Sequence, residues 1–131
     1  IASPLISVVD DATVPHLRGT YAFDDEGTES ERTLLVENGI LKNLLFDKFY
    51  AMKYKKSSTG NGRRESYRYK PIPRMSNTMI LPGKDDPEKI ISSVDDGVFV
   101  VKMGGGQVDT VRGDFVFEIS EGYSIEKGRG T

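Results

Sequence analysis

The hydrophobic residues of this chain occur mostly in short runs separated by turn-forming residues, a pattern that favours β-strands. The pattern predicts four strands in the first part of the sequence, at Leu5–Asp10, Gly19–Asp24, Thr33–Glu37 and Ile40–Phe46. Asn38 and Gly39 separate the last two of these strands. Because asparagine and glycine tolerate positive φ, this pair predicts a two-residue type I′ hairpin.

A second hairpin is predicted near the sequence VDTVRGDFVFEIS, which runs from Val108 to Ser120. Within it, Phe115, Phe117 and Ile119 recur at every second position. Side chains with this spacing point to one face of a strand. The Arg-Gly-Asp tripeptide in this stretch is interpreted as part of the hairpin turn and not as an adhesion motif.

Two short helices interrupt the strands. The stretch from Asp47 to Lys56 places Phe49 and Met52 at helical spacing and has lysines near its end, where the helix dipole favours them. The stretch DDPEKIISSV has Asp86 as a candidate N-cap and Pro87 at the first helical position.

Gly97 follows Asp95-Asp96 and is predicted to end the second helix. No strand–helix–strand period occurs in the sequence. We therefore predict a mainly β fold of the α+β class, with antiparallel hairpins and two short helices. The 131 residues fit a single domain that covers the whole chain, 1–131.

Composition narrows the possible functions. A net charge of -2 does not make the molecule as a whole a nucleic-acid-binding surface. The sequence has no cysteine, which excludes disulfides and thiolate chemistry. His16 is its one histidine, so a histidine-rich metal site cannot form within the chain. No run of residues approaches the roughly 20 apolar residues that cross a membrane.

The stretch STGNGRRESYRYKPIPR, residues 58–74, is unusually basic. One acid, Glu65, lies among eight cations from Lys53 to Arg74: Lys53, Lys55, Lys56, Arg63, Arg64, Arg68, Lys70 and Arg74. Tyrosines interleave with these cations, and such a mixture can bind phosphates and stacked bases. A solvated, mobile loop is the more common interpretation of such a segment. The glycine and lysine spacing does not fit a phosphate-binding loop.

Two further patterns involve acids and glycines. Acidic pairs recur beside turn signals and are interpreted as turn and cap residues: Asp10-Asp11, Asp24-Asp25, Asp85-Asp86 and Asp95-Asp96. The stretch KMGGGQVD, residues 102–109, contains three consecutive glycines, which weaken a strand unless something approaches the backbone closely. A ligand, a peptide strand and the protein's own chain are all candidates, and a β-bulge or flexible turn is an equally good interpretation. No complete catalytic set is recognisable in the sequence.

Several long motifs occur in one order: VVDDATVPHLRGTYAFDDEGTESERTLLVENGILKNLLFDKFYA, STGNGRRESY, PRMSNTMILPG, GGGQVDTVRGDFVF and EGYSIEKGRGT. Together they resemble the TldD/PmbA family of zinc metallopeptidases, which also carries the name modulator of DNA gyrase. The resemblance covers essentially the whole chain. The GRRESY block resembles the TldD type more than its sister type, TldE or PmbA. The resemblance implies a fragment of a TldD-like C-terminal domain.

The resemblance also implies a function. It implies a cytoplasmic, zinc-dependent peptidase that acts on unfolded or modified peptides and associates with a TldE/PmbA-like subunit or with itself. The family's zinc ligands are two histidines of an H-E-x-x-x-H helix, expected before Ile1, and a cysteine expected after Thr131. Zinc is therefore expected in the parent protein, whereas this segment is expected to have no zinc, no catalytic residue and no activity alone. Neither a membrane nor a nucleic acid is the expected partner.

The resemblance places the two unusual segments at a substrate cleft. The predicted substrate-binding residues are Arg63, Arg64, Asn77, Gly104, Gly105, Gly106 and Gln107. Asp24, Asp25 and Glu26 are predicted to support the site or the fold. A guanidinium suits bidentate contacts, so the arginines would orient a peptide carboxylate or pair with these acids. The glycines would let an extended peptide add to a sheet edge. A nucleic-acid-binding or partner-docking β module without catalysis is the alternative hypothesis.

Overall fold

A computed structural model of the protein describes residues 2–109 and 111–130. The chain divides into two compact units, Ile1–Gly83 and Lys84–Thr131. The elements in chain order are β1 (Val8–Asp11), β2 (Arg32–Glu37), β3 (Ile40–Leu41), α1 (Lys48–Tyr54), β4 (Gly62–Arg63), β5 (Ile72–Pro73), β6 (Thr78–Ile80), α2 (Pro87–Ser92), β7 (Asp96–Asp109), β8 (Asp114–Glu126) and β9 (Arg129–Gly130). The paired strands among the described residues are antiparallel. The predicted fold class, mainly β with two short helices, is confirmed.

The first unit is built on a four-stranded sheet with the strand order β3-β2-β1-β6. β1 lies in its interior, where Val9 pairs with Leu34 on one side and with Met79 on the other. Three of the four residues of β1 are buried. The predicted strand at Leu5–Asp10 is present, but it begins later, at Val8, because residues 4–5 form a turn.

The hairpin between β2 and β3 forms as predicted. Asn38 and Gly39 have φ values of 50° and 79°, the two positive values that a type I′ turn requires. Glu37 and Ile40 pair directly across this turn. The strand predicted at Thr33–Glu37 is β2, and its Val36 is part of the buried core of the unit.

The strand predicted at Ile40–Phe46 is much too long. β3 covers only Ile40–Leu41. After it, the backbone N–H groups of both Lys42 and Asn43 donate to the Leu35 carbonyl, at 2.8 and 3.4 Å. Because two successive donors converge on one acceptor, the chain turns out of the ladder there and continues as a loop.

The strand predicted at Gly19–Asp24 is wrong. The described structure has turns and one isolated bridge in this region instead. The Asp24 carboxylate accepts the backbone N–H groups of Glu26 and Thr28, at 2.9 and 2.8 Å. Such local side chain–backbone bonds offer the chain an alternative to a strand ladder, and here they close a turn.

Helix α1 forms as predicted. The side chain of Asp47 caps it by accepting the Tyr50 N–H at 2.7 Å. Lys55 ends it in the left-handed conformation, with φ of 55°. Ala51 is the residue of α1 that is buried.

Helix α2 also forms as predicted, with Asp86 as N-cap to the Glu88 N–H at 3.0 Å and Pro87 in the first turn. It ends earlier than Gly97, however. Ser93 follows the helix directly, and Gly97 lies within β7 opposite Ile125. The role assigned to Gly97 was therefore wrong.

No helix in the described part of the chain has the length and apolar character needed to cross a membrane.

The second unit is a three-stranded sheet with the order β7-β8-β9. Its β7–β8 hairpin extends from the pair Asp96–Glu126 to the pair Asp109–Asp114. The predicted second hairpin is confirmed, and it is longer than the sequence pattern indicated. Ile125 is the one buried apolar side chain among the described residues of this unit. Most other large apolar side chains of the hairpin are exposed: Val98, Phe99, Val100, Val101, Met103, Val108, Phe115, Val116, Phe117, Ile119 and Tyr123.

Candidate functional site

The acidic turn of the first unit, Asp24–Glu26, holds the backbone of the basic segment. The Asp24 carboxylate accepts the Gly62 N–H at 2.9 Å, and the Asp25 carboxylate accepts the Arg64 N–H at 2.8 Å. The Asp25 N–H donates in turn to the Gly62 carbonyl at 3.0 Å. The Asp24 and Asp25 carboxylates therefore bind backbone amides of this segment, and not the guanidinium groups suggested as their partners.

Glu26 extends this contact to helix α1. Its carboxylate accepts the Lys48 N–H at 2.8 Å, while the Lys48 ammonium donates to the Glu26 carbonyl at 2.5 Å. The same side chain packs against Gly62, where an added Cβ would lie only 2.8 Å from the Glu26 carboxyl carbon. The close approach gives a physical reason for glycine at position 62.

Arg63 is the side chain that the β4–β5 ribbon presents. Its guanidinium carbon lies 5.0 Å from the centroid of the Tyr21 ring, within cation–π range. One guanidinium nitrogen donates to the Met75 carbonyl at 3.3 Å. The Tyr21 hydroxyl donates to the Gly60 carbonyl at 2.9 Å. Burial raises the pKa of Tyr21 above its ordinary value near 10.0, and the positive charge of Arg63 partly offsets this rise.

Arg64 has a different environment. Its terminal nitrogen approaches the Asp25 carbonyl at 3.5 Å. Its Nε is buried and has no hydrogen-bond partner among the described residues. A buried donor without an acceptor is costly, which makes this nitrogen a candidate for a bond to a bound group.

Asn77 is committed to internal bonds. Its side-chain oxygen accepts the Gly19 N–H at 2.8 Å. Its side-chain nitrogen donates to the Asp11 carbonyl at 2.9 Å and to the Thr20 hydroxyl at 3.3 Å. The amide thus ties the loop after β1 to the strand region around β6, in the same unit as Arg63.

Asp10 is the residue of this region that sequence reasoning missed. It is 1% exposed, and its carboxylate accepts bonds from three residues. These are the Ser76 N–H and hydroxyl at 2.9 and 2.7 Å, the Thr78 hydroxyl at 2.6 Å and the Asn61 amide at 2.9 Å. The sequence signal was an acid inside a predicted strand, which argues against a turn residue.

Asn61 links the buried Asp10 to the basic segment, residues 58–74. Its side chain also donates to the Arg74 carbonyl at 3.1 Å and accepts the Thr59 hydroxyl at 2.6 Å. Residues 59–62 are buried. The interpretation of the segment as a solvated loop is therefore wrong for this part, although Tyr67 is 80% exposed.

The glycine triplet lies in β7, in the second unit, and its three members differ. An added Cβ at Gly106 would clash with the Phe117 ring, and one at Gly104 would lie 2.9 Å from the Ser120 hydroxyl. At Gly105 an added Cβ would meet no described atom within 4 Å. The protein's own chain therefore explains two of the glycines, while Gly105 faces open space.

The strand is also bulged at the triplet. Met103 pairs with Ile119 and Gly106 pairs with Phe117, so β7 has one extra residue between these pairs. An open concavity of about 500 Å³ lies beside it, lined by Gly105, Gly106, Gln107, Val116, Phe117 and Glu118. Of the predicted binding residues, Gly105, Gly106 and Gln107 line this surface depression, and Gly104 precedes them in β7 without lining it.

The described residues do not provide a zinc site. No group of three or more histidine, cysteine, aspartate or glutamate side chains in residues 2–109 and 111–130 could hold a metal ion. His16 is exposed in a left-handed loop conformation, with φ of 65°. The donors in the described part of the chain therefore do not fit the zinc implied by the sequence resemblance.

Comparisons with known proteins identify the family. Residues 1–131 match the family described as PmbA/TldA metallopeptidase C-terminal domain. A metalloprotease TldD homolog of Buchnera aphidicola is 48% identical over 129 residues, 98% of this chain and 27% of that protein. A zinc metalloprotease TldD homolog of Saccharolobus solfataricus is 32% identical over 127 residues, 96% of this chain and 28% of that protein. This chain thus spans little more than a quarter of the length of these relatives.

Solved structures agree with the sequence relatives. TldE from Thermococcus kodakarensis matches with a TM-score of 0.80 and 30% identity, over 98% of this chain and 29% of that one. A candidate modulator of a DNA gyrase from Thermotoga maritima matches with a TM-score of 0.82 and 28% identity, over the same shares of the two chains. The chain therefore belongs to the PmbA/TldD family of metallopeptidases, to whose C-terminal domain it corresponds.

Proposed function

We propose that this chain is the substrate-binding and structural part of a zinc-dependent, cytoplasmic peptidase that acts on unfolded or modified peptides. The match of the whole chain to a metallopeptidase domain carries this proposal. The name of the Saccharolobus solfataricus relative supports zinc as the metal. Residues 2–109 and 111–130 bring together no group of metal ligands, and we assign this chain a binding role. The zinc ligands belong to other parts of the intact protein, and residues 1–131 form one of its domains.

The proposed peptide-binding surface is the β7 edge around Gly105. β7 forms one edge of its three-stranded sheet, so its outer backbone groups have no strand partner within that sheet. An extended peptide can bind such an edge through main-chain hydrogen bonds. The open space at Gly105 lets a peptide backbone come close, and Gln107 adds a side-chain amide at the same concavity.

Arg63 and Arg64 are proposed to orient a peptide carboxylate. A guanidinium offers five N–H donors in a planar fork that matches a carboxylate. The described structure gives Arg63 one hydrogen-bond acceptor, Met75, which leaves most of its donors for a ligand. Arg64 adds a second guanidinium next to Arg63 in the sequence. Asp24 and Asp25 support this segment through the Gly62 and Arg64 N–H groups, and Asn77 stays a proposed substrate-binding residue of the same unit.

A valine at position 105 of the full-length protein tests the surface. The branched side chain would fill the space that the peptide backbone needs, whereas an added Cβ at Gly105 meets no atom of the described residues within 4 Å. We expect Gly105→Val to lower kcat/KM about ten-fold or more on a fluorogenic library of unstructured peptides, the loss from a few broken hydrogen bonds. Zinc content should remain that of the unmodified protein.

Gly130→Val is the matched control, because Gly130 also lies in a strand and has no atom within 4 Å of an added Cβ. It should retain cleavage and zinc. Full activity of Gly105→Val would show that the peptide binds elsewhere. Loss of activity in both variants would point to a general effect on the sheet.

Association with a TldE/PmbA-like subunit, or with a second copy, is part of the proposal. The solved TldE structure shares the fold of this chain, which is consistent with TldD/TldE-type assemblies. The exposed apolar side chains of the hairpin favour a second candidate function, a partner-docking module without catalysis. Normal peptide cleavage by the full-length Gly105→Val protein, together with subunit binding that depends on the hairpin, would favour this candidate.

A further inference from the structure

Tyr21 contacts the basic segment in two places at once. Its hydroxyl donates to the carbonyl of Gly60, and its ring lies under the guanidinium of Arg63. Gly60 has a φ of 67° and lies at the turn that leads into β4. The tyrosine therefore fixes both the entry to the strand and the side chain that the strand presents.

The contacts of the Arg63 guanidinium are a ring and a carbonyl, and they leave several of its N–H donors for a ligand. The Tyr21 ring and the Met75 carbonyl occupy part of its surroundings. Arg63 forms no ion pair with a carboxylate of the described residues, whose ion pairs are Arg32–Asp11, Lys42–Glu37 and Arg112–Asp109. Neighbouring carboxylates instead bind backbone amides, as Asp24 and Asp25 do. A fixed guanidinium that forms no direct ion pair keeps donors for an external carboxylate.

We infer that Tyr21 is a positioning residue that holds Arg63 ready for a carboxylate of the bound peptide. The ring limits the rotation of a flexible side chain, so less conformational freedom is lost when the carboxylate binds. A ring contact of this kind is worth about a 2- to 5-fold change in an equilibrium constant at an exposed site. The inference rests on the proposed binding role of Arg63.

The test compares two probes with the full-length protein. They are N-acetylated hexapeptides of one alanine- and phenylalanine-rich sequence, ending in a free carboxylate or in a carboxamide. The ratio of their dissociation constants measures the carboxylate preference and cancels changes that affect both peptides equally. We expect Arg63→Gln to remove most of the preference, since Arg64 remains, and Tyr21→Leu to reduce it about 2- to 5-fold.

Three further variants separate positioning from folding. Tyr21→Phe keeps the ring and should keep most of the preference, although it loses the bond to Gly60. Tyr21→Met removes the ring and replaces Tyr21→Leu if that variant does not fold. Tyr67→Leu is the matched control, because it removes another tyrosine–arginine contact, with Arg68 at 5.4 Å. It should leave the preference unchanged.

The possible results separate the inference from the proposed function. A full preference in folded Tyr21→Leu or Tyr21→Met, with loss in Arg63→Gln, would overturn the positioning role alone. An unchanged preference in Arg63→Gln would overturn both this inference and the binding role proposed for Arg63. A reduced preference in Tyr67→Leu as large as that in Tyr21→Leu would also overturn the inference.

Discussion

At the scale of single residues, buried acids organise the first unit. Asp10 accepts bonds from Asn61, Ser76 and Thr78, which lie far from it in sequence. Asp24 similarly joins its own turn to Gly62. Carboxylates in these positions can accept several neutral donors, which is how a buried negative charge is tolerated. Residues that look like turn formers in the sequence therefore fix the tertiary structure.

Replacing Asp10 by alanine should destabilise the chain strongly. The substitution leaves the buried Asn61 amide and the part-buried donors of Ser76 and Thr78 without their acceptor, at a cost of about 3 kcal/mol or more. Urea unfolding of the chain measures the loss. Asp85→Ala is the matched control from another acidic pair; Asp85 is exposed, so its removal should change the free energy of unfolding by less than about 0.5 kcal/mol. Similar values for the two variants would contradict the anchoring role of Asp10.

Tyr21 should make stability depend on pH in the alkaline range. Burial raises its pKa in the folded state, with smaller contributions from Asp10, Asp24 and Asp25, while Arg63 lowers it. The folded state then holds the proton more tightly than the unfolded state. The stability that protonated Tyr21 contributes is complete below the pKa of tyrosine in the unfolded chain, about 10. It is lost as the pH rises through the pKa of Tyr21 in the folded chain.

The comparison that isolates this effect is between the unmodified chain and Tyr21→Phe. Above about pH 10, the free energy of unfolding should fall more steeply with pH in the unmodified chain than in the variant. Urea unfolding at several pH values gives the two slopes. Parallel curves would mean that the environment of Tyr21 does not favour its neutral form.

At the scale of elements, short sequence motifs correctly predicted the turns and helix starts that depend on neighbouring residues alone. Asn38-Gly39 defined a hairpin, and Asp47 and Asp86 defined two helix starts, because each acts on backbone groups within a few residues. The prediction failed at Gly19–Asp24, where the acidic turn binds Gly62, distant in sequence. It also failed at Gly97, whose place in β7 depends on pairing with Ile125.

Alanine substitutions in the glycine triplet should differ in their effect on stability. Gly106→Ala places a methyl group against the Phe117 ring and should cost about 1–3 kcal/mol through overpacking. Gly105→Ala meets no described atom and should be neutral or stabilising by up to about 1 kcal/mol. Thermal unfolding of the chain compares the two.

A double variant checks the cause. In the Phe117→Ala background the ring is gone, so Gly106→Ala should lose most of its cost, a coupling that a double-mutant cycle measures. If Gly106→Ala stays equally costly without the ring, backbone conformation and not the ring explains the glycine.

At the scale of the molecule, the sequence predicted which segments meet in part of the candidate site. The segment of Arg63 and Arg64 contacts Asp24 and Asp25, one of the two alternatives offered for these arginines. The sequence could not show that backbone amides would be the partners, or that Tyr21 would lie against Arg63. These contacts depend on how loops fold over the sheet, and no periodic pattern records them.

The β7–β8 hairpin exposes many apolar side chains. Ile125 is its one buried apolar residue in the described chain, while Phe115, Phe117 and Val116 are exposed on its two faces. β7 is also a long edge strand, with 14 residues. Exposed apolar faces and long strand edges both favour association. We therefore expect the chain to associate with itself or with a related subunit.

Sedimentation velocity of the chain over a wide concentration range tests this expectation. The unmodified chain should form dimers or larger species, and Phe115→Lys combined with Val116→Lys should shift it toward monomer, because each lysine places a charge on one face of the hairpin. Tyr67→Lys is the control, since Tyr67 is equally exposed but lies in the other unit, and it should not change association. A monomer at every concentration would contradict self-association, and the same shift with Tyr67→Lys would show that the hairpin is not the contact surface.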